Sequence, residues 1–131
     1  MGPRRAPALR LTPGSVVLVP FPFTDLSGSK RRPALVVSPE GFHREDLILC
    51  AITSQAPDTP GRWDVKLAAS DLYDASLPKP SLILVGKLFT MHQALIVGGF
   101  GRVTSAKLAE VQARLVRLLG PSGSKSLGPE P

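Results

Sequence analysis

Short apolar runs rich in β-branched residues, each bounded by proline, glycine or small polar residues, recur along most of this chain. Ser15–Pro20, residues 33–38 and Asp46–Thr53 are the clearest, and residues 63–67, 81–89 and 96–103 continue the pattern. Val, Ile and aromatic residues suit a pleated, half-buried backbone, so the pattern predicts six strands, with Pro33 tolerated at a first strand position. Gly98-Gly99 reads as a bulge within the last of them. Residues 70–73 read as a single helical turn. Near the end the spacing changes: Leu108, Val111, Leu115, Leu118 and Leu119 recur every three or four positions, while Lys107, Glu110, Arg114 and Arg117 point elsewhere. That is one amphipathic helix, with Thr104 or Ser105 as its cap and Gly120-Pro121 as its stop. A basic amphipathic helix can lie on a membrane, but a single one after six strands serves as a lid over a sheet. The expected architecture is mainly β with a C-terminal helix: a small, SH3-like, partly open barrel of antiparallel strands.

Composition narrows this to one domain. The chain has 131 residues, with 14 prolines and 12 glycines, a load that favours short strands and turns over long helices. Residues 1–12 carry arginines among prolines and alanines and read as a disordered basic arm. Residues 13–120 form the domain, and the Gly-, Ser- and Pro-rich residues 121–131 a disordered tail. Cys50, the single cysteine, lies in an apolar run and reads as a buried small hydrophobe. No stretch has the apolar length of a membrane span or the apolar core of a signal peptide, so a cytoplasmic protein without membrane contact is expected. The net charge of +6 serves solubility, and it also attracts polyanions, nucleic acid first and an acidic protein next.

The candidate chemistry is concentrated in two segments. Lys30-Arg31-Arg32 precedes Pro33-Ala34-Leu35-Val36-Val37-Ser38, where a polar loop enters a strand, and Ala51-Ile52-Thr53-Ser54-Gln55 follows about twenty residues later. Together with the opening strand Gly14-Ser15-Val16-Val17-Leu18-Val19, these segments resemble the MazF/PemK/Kid toxins of bacterial toxin–antitoxin systems, over roughly residues 13–119. The resemblance implies a compact SH3-like barrel, a homodimer, metal-free and cofactor-free cleavage of single-stranded RNA, and neutralisation by an acidic MazE-like antitoxin. It also implies that Arg32, directly before the proline, and Thr53, first in its polar trio, are active-site residues.

Elementary chemistry agrees with those roles. Metal-free RNA cleavage needs one proton removed from the 2′-OH, one delivered to the leaving 5′-oxygen, and stabilisation of extra negative charge on phosphorus. A guanidinium stays charged and binds two phosphate oxygens at once, so Arg32 suits the last task and is a poor base. The Thr53 hydroxyl can orient the phosphate, helped by Ser54. A surface ion pair for Arg32 and a strand-end role for Thr53 are the structural alternatives, since one arginine and one threonine do not define a site. Asp25, in the loop before Arg32, is the available carboxylate, although TDLSG is also a turn former. The strand position at which some relatives carry an acid reads Leu84-Val85-Gly86-Lys87 here, so the base stays open. Lys30, Arg31, Ser54, Gln55, Phe23 and Lys87 complete the expected RNA-binding set, Phe23 by stacking on bases. His43 and His92 fall outside the matched segments, and two histidines with one cysteine are too few for a structural zinc site. Two other readings of the same fold are a non-catalytic toxin of the gyrase-directed CcdB kind and an SH3-like RNA- or protein-binding module.

Overall fold

The computed structural model describes residues 11–20, 31–42, 44–55, 59–73, 77 and 79–121, Phe100 by its backbone alone. Most of the expected N-terminal arm, the tail beyond 121, and the loop 21–30 with Asp25, Lys30, Phe21 and Phe23 lie outside the described residues, as does His43. Leu11, close to the end of that arm, is buried at 8% exposure against Val17 and Val19.

The chain is mainly β with one C-terminal helix. Strands β1 (Ser15–Pro20), β2 (Arg31–Val36), β3 (Asp46–Thr53), β4 (Asp64–Leu67), β5 (Leu72–Tyr73), β6 (Ser81–His92) and β7 (Gly98–Val103) precede α1 (Ser105–Leu119). They form one antiparallel sheet in the order β4-β6-β3-β2-β1-β7-β5, curled into a half-barrel. Among the described residues there are seven strands, where six are expected. Residues 69–71 form a 3-10 turn, and Leu72–Tyr73 then pair with Val103 and Arg102 as a two-residue strand. Two residues carry no periodicity, so no sequence signal announces such a strand. β2 begins at Arg31, ahead of Pro33, because Arg31 and Arg32 pair with Pro20 and Val19 of β1.

The curl has local causes. Between Val16 and Val17 the pairing with β7 skips from Gly101 to Gly99, leaving Phe100 as the extra residue. The larger irregularity is in β6: Ala51 faces Leu84 but its neighbour Cys50 faces Leu88, so residues 85–87 are looped out of the ladder. Extra residues on one strand bend it and increase the local twist. β6 thereby turns, and its first half also carries β4.

Alternation divides the apolar residues between two cores. On one face Val16, Leu35, Cys50, Ile52, Val65, Ile83 and Val85 pack under α1, which contributes Val111, with Leu108, Leu115 and Leu118 flanking. On the other face Val17, Val19, Ala34, Val36, Leu47, Leu49 and Ala51 pack with Leu84, Phe89, Met91 and Ile96. Thr104 caps α1 by accepting from the Lys107 N–H at 3.1 Å, satisfying one of the free donors of its first turn. Arg114 reaches from α1 to the outer edge of the sheet, donating to the carbonyls of Arg62 and Asp64 at 2.9 and 3.1 Å.

Candidate active site

Arg32 and Thr53 stand on different strands, and the register brings them together. β2 and β3 pair as Val36↔Leu49, Leu35↔Cys50 and Ala34↔Ala51. The same register continued by two positions sets Arg32 opposite Thr53. Pairing stops short of them: Pro33 has no N–H to give a ladder, and the strands are free to separate at this end. Each residue is held from its other side, Arg32 by Val19 of β1 and Thr53 by Leu82 of β6. Both share the parity of Ala34, Val36, Ala51 and Leu49, so they belong to the sheet face that α1 does not cover. The pair therefore sits at the mouth of the second core.

The two side chains are in complementary states. The Thr53 Oγ1 accepts a hydrogen bond from the Gln55 backbone N–H at 3.1 Å. A hydroxyl accepts and donates at once, so this bond fixes the oxygen and leaves its proton to be given outward. Arg32 is half-buried, and its Nε is buried without a hydrogen-bond partner. No ion pair to Arg32 occurs among the described residues. A buried donor left without a partner is unfavourable by about 1–3 kcal/mol. The alternative of a surface ion pair for Arg32 thus has no carboxylate among the described residues to support it.

The other expected residues are spread around this pair. Arg31 is exposed and faces Pro20; Ser54 and Gln55 are exposed directly after Thr53. Lys87 lies in the looped-out segment of β6, beside the Cys50–Ala51 step of β3, and is exposed. Asp25, Lys30 and Phe23 lie outside the described residues. His92 ends β6, accepts from the Ala94 N–H at 2.9 Å and approaches Glu45 at 3.8 Å, which makes it a turn-capping residue remote from Thr53 along the strand. Trp63 is half-buried against the first core, beneath the Arg62 guanidinium at 5.1 Å from its ring centre. Cys50 is fully buried, and burial raises its thiol to about 12, far from nucleophilic range. Among the described residues no three His, Cys, Asp or Glu side chains gather where they could hold a metal. Sequence reading did not single out Lys66, whose placement emerges only from the pairing of β4 with β6, or Arg62 in the turn before β4.

A curled antiparallel half-barrel with a single terminal helix thus carries a cation and a hydroxyl at the mouth of its uncovered face. A profile of PemK-like, MazF-like toxins of type II toxin-antitoxin systems matches residues 12–119, and the chain belongs to that family. Among solved structures it is similar to MazF of Deinococcus radiodurans, at 25% identity, covering 87% of this chain and 100% of that one, with a TM-score of 0.67. A MazE-MazF structure from the same organism gives 27% identity over 86% and 98% of the two chains, with a TM-score of 0.66. An endoribonuclease in complex with its cognate antitoxin from Mycobacterial species shares the fold, at 22% identity over 83% and 94% and a TM-score of 0.64. A search of curated proteins matched none.

Proposed function

We propose that this protein is a metal-independent endoribonuclease toxin that cleaves single-stranded RNA, acting at the Arg32–Thr53 pair. The observation that carries the reading is the register that aligns the two residues, together with the unpartnered Arg32 Nε beside them. Arg32 takes phosphate oxygens on its fork and stabilises the charge that develops on phosphorus. Thr53, its oxygen fixed by the Gln55 N–H, donates its proton to a further phosphate oxygen and holds the group in line. The 2′-oxygen forms a bond to phosphorus while the bond from phosphorus to the 5′-oxygen breaks. The products are a 2′,3′-cyclic phosphate and a 5′-OH. The 2′-OH proton goes to Asp25 or another group, and a second proton goes to the leaving 5′-oxygen.

The partners follow from charge and kinship. MazE-MazF complexes occur among the similar structures, and an acidic antitoxin complements a chain of net charge +6. A homodimer in the cytoplasm completes the proposal. The deciding experiment is incubation of purified protein with single-stranded RNA in EDTA, with analysis of the new ends. Cyclic phosphate ends are expected from the native chain and are lost in Arg32→Ala. Undiminished cutting by Arg32→Ala, or no cutting by the native chain, refutes the assignment, and no cutting with growth arrest through a bound topoisomerase supports a non-catalytic toxin instead.

A further inference from the structure

The row of residues that contains Arg32 and Thr53 continues across the sheet. Thr53 faces Leu82 of β6, and Leu82 faces Lys66 of β4, so all four share one sheet face. With neighbouring strands about 4.8 Å apart, Lys66 stands about 10 Å from Thr53 and about 14 Å from Arg32 at the backbone. Leu82 is 2% exposed, so the two cationic ends are separate positions and not one pocket.

At the outer edge of β4 an open groove of about 470 Å³ is lined by Arg62, Asp64 and Lys66 and by Lys107, Glu110 and Arg114, which reach that edge from α1 on the other face. Most of its charges are already engaged. Lys107 pairs with Glu110 at 2.9 Å, Glu110 also meets Arg114 at 4.0 Å, and the Asp64 carboxylate accepts from the Gly61 N–H at 2.6 Å. Arg62 and Lys66 are the exceptions: both are exposed, and neither has an ion-pair partner among the described residues. Lys66 lies on β4, and Arg62 in the turn that leads into it, closed by the Asp64 N–H donating to the Gly61 carbonyl at 3.1 Å. The Arg62 guanidinium is stacked on Trp63, which fixes its plane while leaving its N–H groups free for phosphate.

We infer that Arg62 and Lys66 form a second phosphate-binding position, which holds the RNA strand flanking the phosphate engaged by Arg32 and Thr53. This rests on the ribonuclease reading above. A separation of about 14 Å falls within the span of the ~4–16 nucleotides that small β-barrels engage. RNA is favoured over an acidic protein because Lys66 continues the row that starts at the cleavage pair, with Arg62 in the turn beside it.

The test uses the full chain and uncleavable 2′-O-methyl RNA probes of 20 nucleotides, titrated between 50 and 200 mM salt. Loss of two phosphate contacts on a single strand makes the slope of log affinity against log salt shallower by about 1.4, equivalent to about a sevenfold change across that range. Arg62→Ala/Lys66→Ala is expected to show that change with the 20-mer, and Arg62→Lys/Lys66→Arg to restore most of it. Thermal unfolding of both variants checks that the groove still folds. Equal slopes for native chain and double alanine variant overturn the inference. So does an unchanged RNA slope accompanied by weakened binding of polyglutamate, which would assign the groove to an acidic protein. Cleavage by Arg32→Ala tests the parent reading separately, because the probes report binding without cutting.

Discussion

Replacing Arg32 by methionine is expected to abolish cleavage and at the same time stabilise the fold. Methionine keeps an unbranched stem of similar reach and removes the buried Nε, which has no hydrogen-bond partner in the free protein. Leaving such a donor unpaired is unfavourable by about 1–3 kcal/mol; because Arg32 as a whole is half-buried, the low end of that range applies, about 1–1.5 kcal/mol. For a domain of this size that raises Tm by about 4–6 °C. The catalytic loss is larger and opposite in sense: a preorganised donor to a developing oxyanion contributes about 10²–10³ in rate. Urea unfolding at one fixed protein concentration, paired with a cleavage assay on single-stranded RNA in EDTA, measures both. Arg32→Lys serves as a control, since it keeps the charge without the planar fork and so recovers only part of the rate. The reasoning is refuted if Arg32→Met is destabilised by more than about 1 kcal/mol, because the guanidinium would then be a structural group, or if cleavage survives.

Three further outcomes are expected. Thr53→Val keeps the shape and removes the hydroxyl; cleavage should fall by about 10²-fold or more with unfolding shifted by less than about 1 kcal/mol, because the lost bond to the Gln55 N–H is exposed. The Cys50 thiol, raised from 9.0 to about 12 by burial, stays protonated in the folded chain at pH values where the unfolded chain loses its proton. Its contribution is therefore complete below about pH 9 and lost as pH rises towards 12, with a slope of up to about 1.4 kcal/mol per pH unit that Cys50→Ala should remove from alkaline unfolding curves. In solution, mass measurement at micromolar concentration should give twice the chain mass; a monomer at every concentration would count against the proposed dimer.

How much of this was legible in the sequence depends on the range of the cause. β1 and β3 have the expected bounds because β-branched runs between glycine or polar stops are local signals, and α1 followed from its three-and-four spacing. β5 was read as a helical turn because two residues carry no period, and β6 runs three residues beyond its expected end because pairing with β3 holds Thr90, Met91 and His92 in the ladder. Arg32 and Thr53 were selectable through resemblance alone. Their alignment depends on which residue of β2 faces which residue of β3, a long-range property that no local pattern encodes. The same holds for Lys66, which no local pattern distinguishes until β4 is paired with β6. The bulge expected at Gly98-Gly99 falls one residue later, at Phe100, while the larger irregularity at residues 85–87 had only Gly86 to announce it.

The two hydrogen bonds from Arg114 to the carbonyls of Arg62 and Asp64 also bear on how large the sheet can become. β4 is its outermost strand on that side, and an outer strand with free carbonyls invites another chain to continue the ladder. Here two of those acceptors are already taken by a side chain rooted in α1. The helix that covers the first core thus also closes the sheet against growth by strand addition at this edge. Losing it would uncover apolar surface and expose an adhesive border in the same event, so aggregation, rather than simple unfolding, is the physical penalty for removing α1.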